Sequence, residues 1–181
     1  APRLDVLVVG SATVLGAHGR PVGGFPEAMA DALRAARPGL QVNLTVFGRR
    51  GELATEMLAE LRQQLASRPF QLVLWQTGTV EAVRRVPADA FAATVAQGEQ
   101  TVHDSHADLM LIDPLYSAML EARANLTPYR AAIMATLAGG ASDGSGTAIL
   151  DRYGMMQSWA RAGLFDIDHT PKAQRGQVVA R

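Results

Sequence analysis

Asp166 and His169 stand three residues apart in the stretch Asp166-Ile167-Asp168-His169-Thr170-Pro171. At that spacing a carboxylate can reach the imidazole, orient it and stabilise its charged form, the work of the acid beside a catalytic histidine. The plainer reading is that Asp166 or Asp168 caps a helix starting at Pro171 and that His169 is a surface residue. Taken alone, so short a motif favours the plainer reading. A nucleophile would be sought in the small polar loop Gly10-Ser11-Ala12-Thr13, where Ser11 and Thr13 carry hydroxyls and Ala12 carries none. Residues 48–51 (GRRG) and Gly78-Thr79 make two more loops of small residues. Backbone N–H groups in such loops can face developing negative charge as an oxyanion hole. Glycines also simply close tight turns. Three such loops together with the Asp166–His169 motif exceed what turns alone require.

Each loop follows an apolar segment. Residues 4–9 (LDVLVV) are, Asp5 aside, a β-branched run of the kind buried on both faces of a parallel sheet. Residues 40–47, 72–76, 109–112 and 148–150 read as four further strands. Helical spacing predicts helices over 27–36, 52–67, 87–106, 128–137, 153–162 and 171–181. Thr127 is the expected N-cap of the fourth, with Pro128 at its first position. Residues 141–146 read as flexible by composition. Alternating strands and helices imply a parallel sheet of about five strands, helices on both faces and right-handed crossovers. Ligands of such sheets sit beyond the carboxyl ends of the strands, where these loops gather. Short connections and no internal repeat point to one domain over 1–181.

Lys and Arg total 17, as do Asp and Glu, so the formal charge is zero and nothing suggests nucleic acid or an acidic membrane surface as partner. Without cysteine there is no disulfide, thiolate metal site or cysteine nucleophile. No run reaches the roughly 20 apolar residues of a membrane-spanning helix. The start Ala1-Pro2-Arg3 fits a mature end after signal-peptide removal as well as a trimmed chain. A periplasmic or secreted location is therefore one expectation and a cytoplasmic one the other. No G-x-G-x-x-G or P-loop pattern is present, which argues against nucleotide binding.

The order of these blocks resembles the SGNH, or GDSL-type, hydrolases, which are esterases and acyl hydrolases on a flavodoxin-like sheet. The likeness covers nearly the whole chain. VVGSATVLG sits where that family has its G-D-S-x-T block, GRRGELATEML matches the block of the oxyanion glycine, WQTGTVEAV the G-x-N-D block and DIDH the D-x-x-H block. LIDPLY and RYGMMQSWARAG are similar to stretches of a bacterial, often exported branch whose first block reads G-S-S-S-T. The resemblance implies a three-layer α/β/α fold, Asp166 as orienting acid, His169 as base and Gly51 as oxyanion donor, with no cofactor and no metal. It also places Ala12 on the nucleophile and, counting from Gly78, Val80 on the oxyanion asparagine. Val14 stands for the block's threonine.

Alanine has no oxygen to attack a carbonyl, and losing one oxyanion donor costs about 10²–10³ in rate. Three explanations compete. Ala12 could be an engineered inactivation, Ser11 or Thr13 could serve from a shifted loop, or the protein has given up catalysis and uses the cleft for binding. One function is therefore a serine-type hydrolase of ester-linked acyl groups acting through Ser11. The other is a non-catalytic relative binding a small acylated or carbohydrate ligand, or a protein partner. The chemistry favours the second, or very weak activity.

Lesser candidates remain. His103 and His106 flank Asp104 on a predicted helix and could share a face as metal ligands, although a solvated face is the commoner outcome. Arg49 and Arg50 could hold an anion over the cleft or form an exposed loop pair. Asp113 could line the site or start a turn. Trp75, Met155, Met156 and Trp159 read as core.

Overall fold

A computed structural model describes residues 1–16, 19, 23–139 and 146–170. Strand β1, Arg3–Gly10, is buried from Asp5 onward. Its side chains alternate between two apolar layers, as period-two geometry requires. It pairs with β2 (Gln41–Gly48) on one side and β3 (Leu72–Gln76) on the other; β4 (Asp108–Ile112) and β5 (Thr147–Leu150) follow. All pairings are parallel, in the order β2-β1-β3-β4-β5. Gly10 pairs with Gly48 and Val9 with Trp75, so the carboxyl ends of three strands finish level. The chain reverses its march across the sheet between β1 and β3. That is the switch point where open parallel sheets form their crevice.

Helices α1 (Phe25–Ala36), α2 (Ala54–Ser67), α3 (Thr79–Arg84), α4 (Ala88–Asp104), α5 (Ala118–Glu121), α6 (Thr127–Gly139) and α7 (Arg152–Arg161) complete a three-layer α/β/α architecture. On one face Leu7, Val9, Val73, Trp75, Leu109 and Leu111 meet Met57 and Leu61 of α2, Phe91 and Val95 of α4 and Ile133 of α6. Trp75 is fully buried and donates its indole N–H to Met57 Sδ at 3.3 Å. Gly98 of α4 lies flat on that indole, where an added Cβ would fall 2.1 Å from a ring carbon. On the other face Val6, Val8, Leu74 and Ile112 pack with Ala30 of α1. Asp5, the one charge in the strand-one run, receives Arg3 Nε at 2.7 Å and Asn43 Nδ2 at 3.1 Å. The hydrogen bond from Arg3 holds its carboxyl below the ordinary aspartate value. Among the described residues no helix is long and apolar enough to cross a membrane.

Several expectations need correction. Helices α3 and α5 were not anticipated; both are too short for a periodic pattern to announce them. Helix α6 begins at Thr127 itself, so Thr127 is its first residue and not the residue before it; Asn125 Oδ1 accepts the Thr127 N–H at 3.2 Å. His103 and His106 do not share a helix face, because α4 ends at Asp104 and His106 adopts a left-handed φ of 60°. His103 Nε2 instead meets Thr147 Oγ1 at 2.9 Å. Met156 is core, but Met155 is 37% exposed. The expected helix over 171–181 and most of the expected flexible stretch over 141–146 lie outside the described residues.

Candidate functional site

The loop after β1 is shaped by Val14. A 3-10 turn, Ala12–Val14, closes with the Val14 N–H on Ser11 O and the Leu15 N–H on Ala12 O, both at 3.2 Å. It folds Val14 back over the level strand ends. A Cβ on Gly10 would lie 2.4 Å from Val14 Cγ1, and one on Gly48 would lie 2.5 Å from Val14 Cγ2. Val14 is therefore a buried plug requiring glycine at both neighbouring strand ends. Beside it Ala12 is half-buried and presents only a methyl group. Thr13 Oγ1 lies 2.6 Å from the Gln76 side-chain amide. Among the described residues the Ser11 hydroxyl has no hydrogen-bond partner.

The end of β3 faces that loop. Ser11 and Gln76-Thr77-Gly78-Thr79-Val80 line one crevice together with Met57, Glu81 and Arg152. Gly78 takes φ +99°, a conformation that favours glycine. Its N–H donates to the buried Glu81 carboxylate at 3.0 Å, and the Ala54 N–H donates to the same group at 2.5 Å. Glu81 thus fastens the start of α3 to the start of α2, and the Gly78 N–H is already engaged. Gly51, at φ +74°, lies beneath the Arg84 guanidinium; an added Cβ would meet Arg84 Nη2 at 2.8 Å. Its own N–H has no hydrogen bond among the described residues. Val80 brings no donor. Arg49 and Arg50 are exposed.

Arg152, the first residue of α7, is 8% exposed and reaches the crevice from the far side. Its Nε–H donates to Asp113 O at 3.1 Å. An amide oxygen suits a guanidinium, and an amide NH2 does not. In the orientation this dictates, Gln76 Oε1 lies 3.1 Å from Arg152 Nη2 and also contacts Nη1, while the amide NH2 donates to Thr13 Oγ1 at 2.6 Å. No carboxylate is ion-paired with Arg152 among the described residues. Burial pushes its pKa down to about 10, with Asp113 opposing, so it remains a cation at neutral pH. Asp113 is the organiser behind it. Its carboxylate accepts Arg130 Nε at 2.8 Å and the Tyr153 N–H at 3.0 Å. Burial raises its pKa, and the Arg130 hydrogen bond resists that rise.

His169 Nδ1 lies 2.8 Å from Asp166 Oδ2. The Asp166 hydrogen bond raises the imidazole pKa, and the same contact lowers that of Asp166. The His169 side chain is 83% exposed. Asp168 anchors this loop by accepting Ser117 Oγ at 2.6 Å and the Met119 N–H at 3.2 Å, so it caps α5. The structure therefore joins Asp166 to His169, and separately groups Ser11, Gly78 and Val80. No hydrogen bond links the two sets, and neither Asp166 nor His169 lines the crevice. Gln76, Thr77 and Arg152 are not among the expected site residues, and Thr79 is expected only as part of the Gly78-Thr79 loop, for its backbone and not its hydroxyl. A larger hollow of about 480 Å³, walled by Glu121 to Thr127, Arg130 and Tyr153, shares only the α7 start with this region, and its Arg130 is spent on Asp113 and Asp151.

A family model described as the Non-GDSL lipase-like family matches residues 1–181. The chain belongs to that family. No curated protein matches its sequence. Among solved structures, a catalytic mutant of Axe2, an acetylxylan esterase from Geobacillus stearothermophilus, superposes with a TM-score of 0.76 at 15% identity, covering 98% of this chain and 91% of that one. TesA gives 0.71 at 16%, covering 97% and 93%. The lipase/acylhydrolase from Enterococcus faecalis gives 0.67 at 15%, covering 100% and 94%. With these neighbours, the Non-GDSL lipase-like chain shares the SGNH/GDSL-type hydrolase fold. At such identities the structural matches speak for the fold.

Proposed function

We propose that this member of the Non-GDSL lipase-like family uses its strand-end cleft to bind a ligand and hydrolyses esters weakly or not at all. The observation that carries this reading is the turn after β1: Ala12 offers a methyl group where an attacking oxygen is needed, and Val14 locks the turn by packing on Gly10 and Gly48. A locked turn has little freedom to bring Ser11 or Thr13 onto the position of Ala12, and nucleophile geometry precedes pKa in deciding catalysis. Thr13 is further tied to Gln76.

A second reading, an esterase acting through Ser11, draws on the unpartnered Ser11 hydroxyl and the Asp166–His169 pair. Restoring the missing groups tests both. Ala12→Ser is expected to bring p-nitrophenyl acetate turnover above the parent's background. Adding Val80→Asn is expected to raise it by about 10²–10³, the worth of one oxyanion donor. No gain in the double variant, with the fold intact by circular dichroism, contradicts the first reading.

A further inference from the structure

Among the described residues, two buried side-chain oxygens have no hydrogen-bond partner, Thr77 Oγ1 and Thr79 Oγ1. Both residues line the crevice described above. Buried polar atoms in native folds are nearly always paired, so two orphans on one wall call for an absent partner. Ser11, with its unpartnered hydroxyl, and Arg152, with no ion-paired carboxylate, line the same crevice. The acceptors there are already taken. Glu81 serves two backbone N–H groups, and Gln76 Oε1 serves Arg152. What remains is three hydroxyls, each free to donate, beside a buried cation whose own hydrogen bonds go to neutral oxygens and which the Asp113 carboxylate offsets only through space. Such a lining favours a group that only accepts and carries negative charge.

We propose that the crevice between Ser11, Thr77, Thr79 and Arg152 is a binding site for the carboxylate of a small organic acid, with Arg152 selecting for charge. This rests on the reading that the cleft binds. Free space in the crevice is about 10 Å³, room for one oxygen-sized atom. One oxygen of a planar carboxylate enters, and the body of the acid projects outward. A tetrahedral phosphate, with three exposed oxygens, fits less well. Arg152 matches the flat carboxylate edge, and its Gln76 contact is the one a ligand oxygen would replace.

The test is a titration of the whole chain with sodium acetate at constant ionic strength, followed by amide NMR shifts of Thr77 and Thr79. A parallel arm uses inorganic phosphate. Acetate is expected to give saturable shifts, with affinity falling at least tenfold in Arg152→Met. The shape-conserving Thr77→Val, which keeps the strand end filled, is expected to weaken acetate several-fold and serves if Arg152→Met does not fold. Absence of saturation by acetate, equal affinity in these variants, or tighter binding of phosphate overturns the proposal. Ester turnover measured on the same samples keeps the two claims separate. Acetate failing to bind a chain that also lacks turnover removes this inference alone. Turnover that disappears in Ser11→Ala removes the non-hydrolytic reading.

Discussion

Arg152 Nη2 lies 3.1 Å from the side-chain oxygen of Gln76, joining the first residue of α7 to the last residue of β3 across the mouth of the crevice. A guanidinium 8% exposed, hydrogen-bonded to neutral oxygens and drawn to the Asp113 carboxylate only through space, loses hydration without the return of a contact ion pair. Replacing it with an apolar side chain of similar length, Arg152→Met, removes the buried charge but leaves Asp113 O and Gln76 Oε1 without their donor, so a cost of about 1–3 kcal/mol is expected. Urea unfolding checks this, and a loss above about 3 kcal/mol would make Arg152 a structural residue.

Asp113 is expected to contribute as well. Its carboxylate holds Arg130 and the Tyr153 N–H, so Asp113→Ala leaves the half-buried Arg130 to Asp151 alone and loosens the start of α7. Breaking one side of a buried pair costs about 3–5 kcal/mol; Arg130, 30% exposed, reduces the expectation to about 2–3 kcal/mol. The urea midpoint again reports it, and Asp113→Asn should cost less because one acceptor oxygen remains.

The Asp166–His169 pair fixes a pH dependence. The imidazole pKa lies above its ordinary 6.5 because Asp166 accepts its hydrogen bond. Its contribution to stability is therefore complete below 6.5 and is lost as pH rises through the raised value. For Asp166, lowered from 3.8, the contribution is complete above 3.8 and is lost as pH falls through the lowered value. The pair is strongest between those limits and weak in absolute terms, being exposed. An NMR titration of His169 should show the raised pKa, and Asp166→Asn should return it toward 6.5. An unchanged titration in that variant would show that the pair does not persist in solution.

Gly98→Ala tests the packing of the sheet against α4. The methyl group would enter the Trp75 ring, 2.1 Å from Cζ3, and a rigid indole cannot yield as a flexible chain end can. Overpacking of this kind costs about 1–3 kcal/mol. A thermal melt would show it, and an unchanged Tm would mean that α4 sits farther from the sheet.

The strands were legible because apolar β-branched runs end at small residues. Residues 72–76 were read with the boundaries that β3 has. The Asp166–His169 contact was legible too, since three residues of spacing in one turn leave the two side chains little choice but to meet. The crevice wall was not. Arg152 lies some 140 residues beyond Ser11, and an arginine at the start of a helix reads as exposed until Asp113 and Gln76 enclose it. Thr77 and Thr79 read as turn residues because only tertiary burial removes water from their hydroxyls. Val14 was seen as a departure from a motif; its packing between Gly10 and Gly48 depends on strand register, which no single segment encodes.

The most direct measurement is p-nitrophenyl acetate turnover by the unaltered chain beside Ser11→Ala and His169→Ala. The account predicts the same background rate in all three, because no oxygen stands in the attacking position and His169 has no hydroxyl to activate. Turnover by the parent that vanishes in both variants would contradict it and establish Ser11 as the nucleophile.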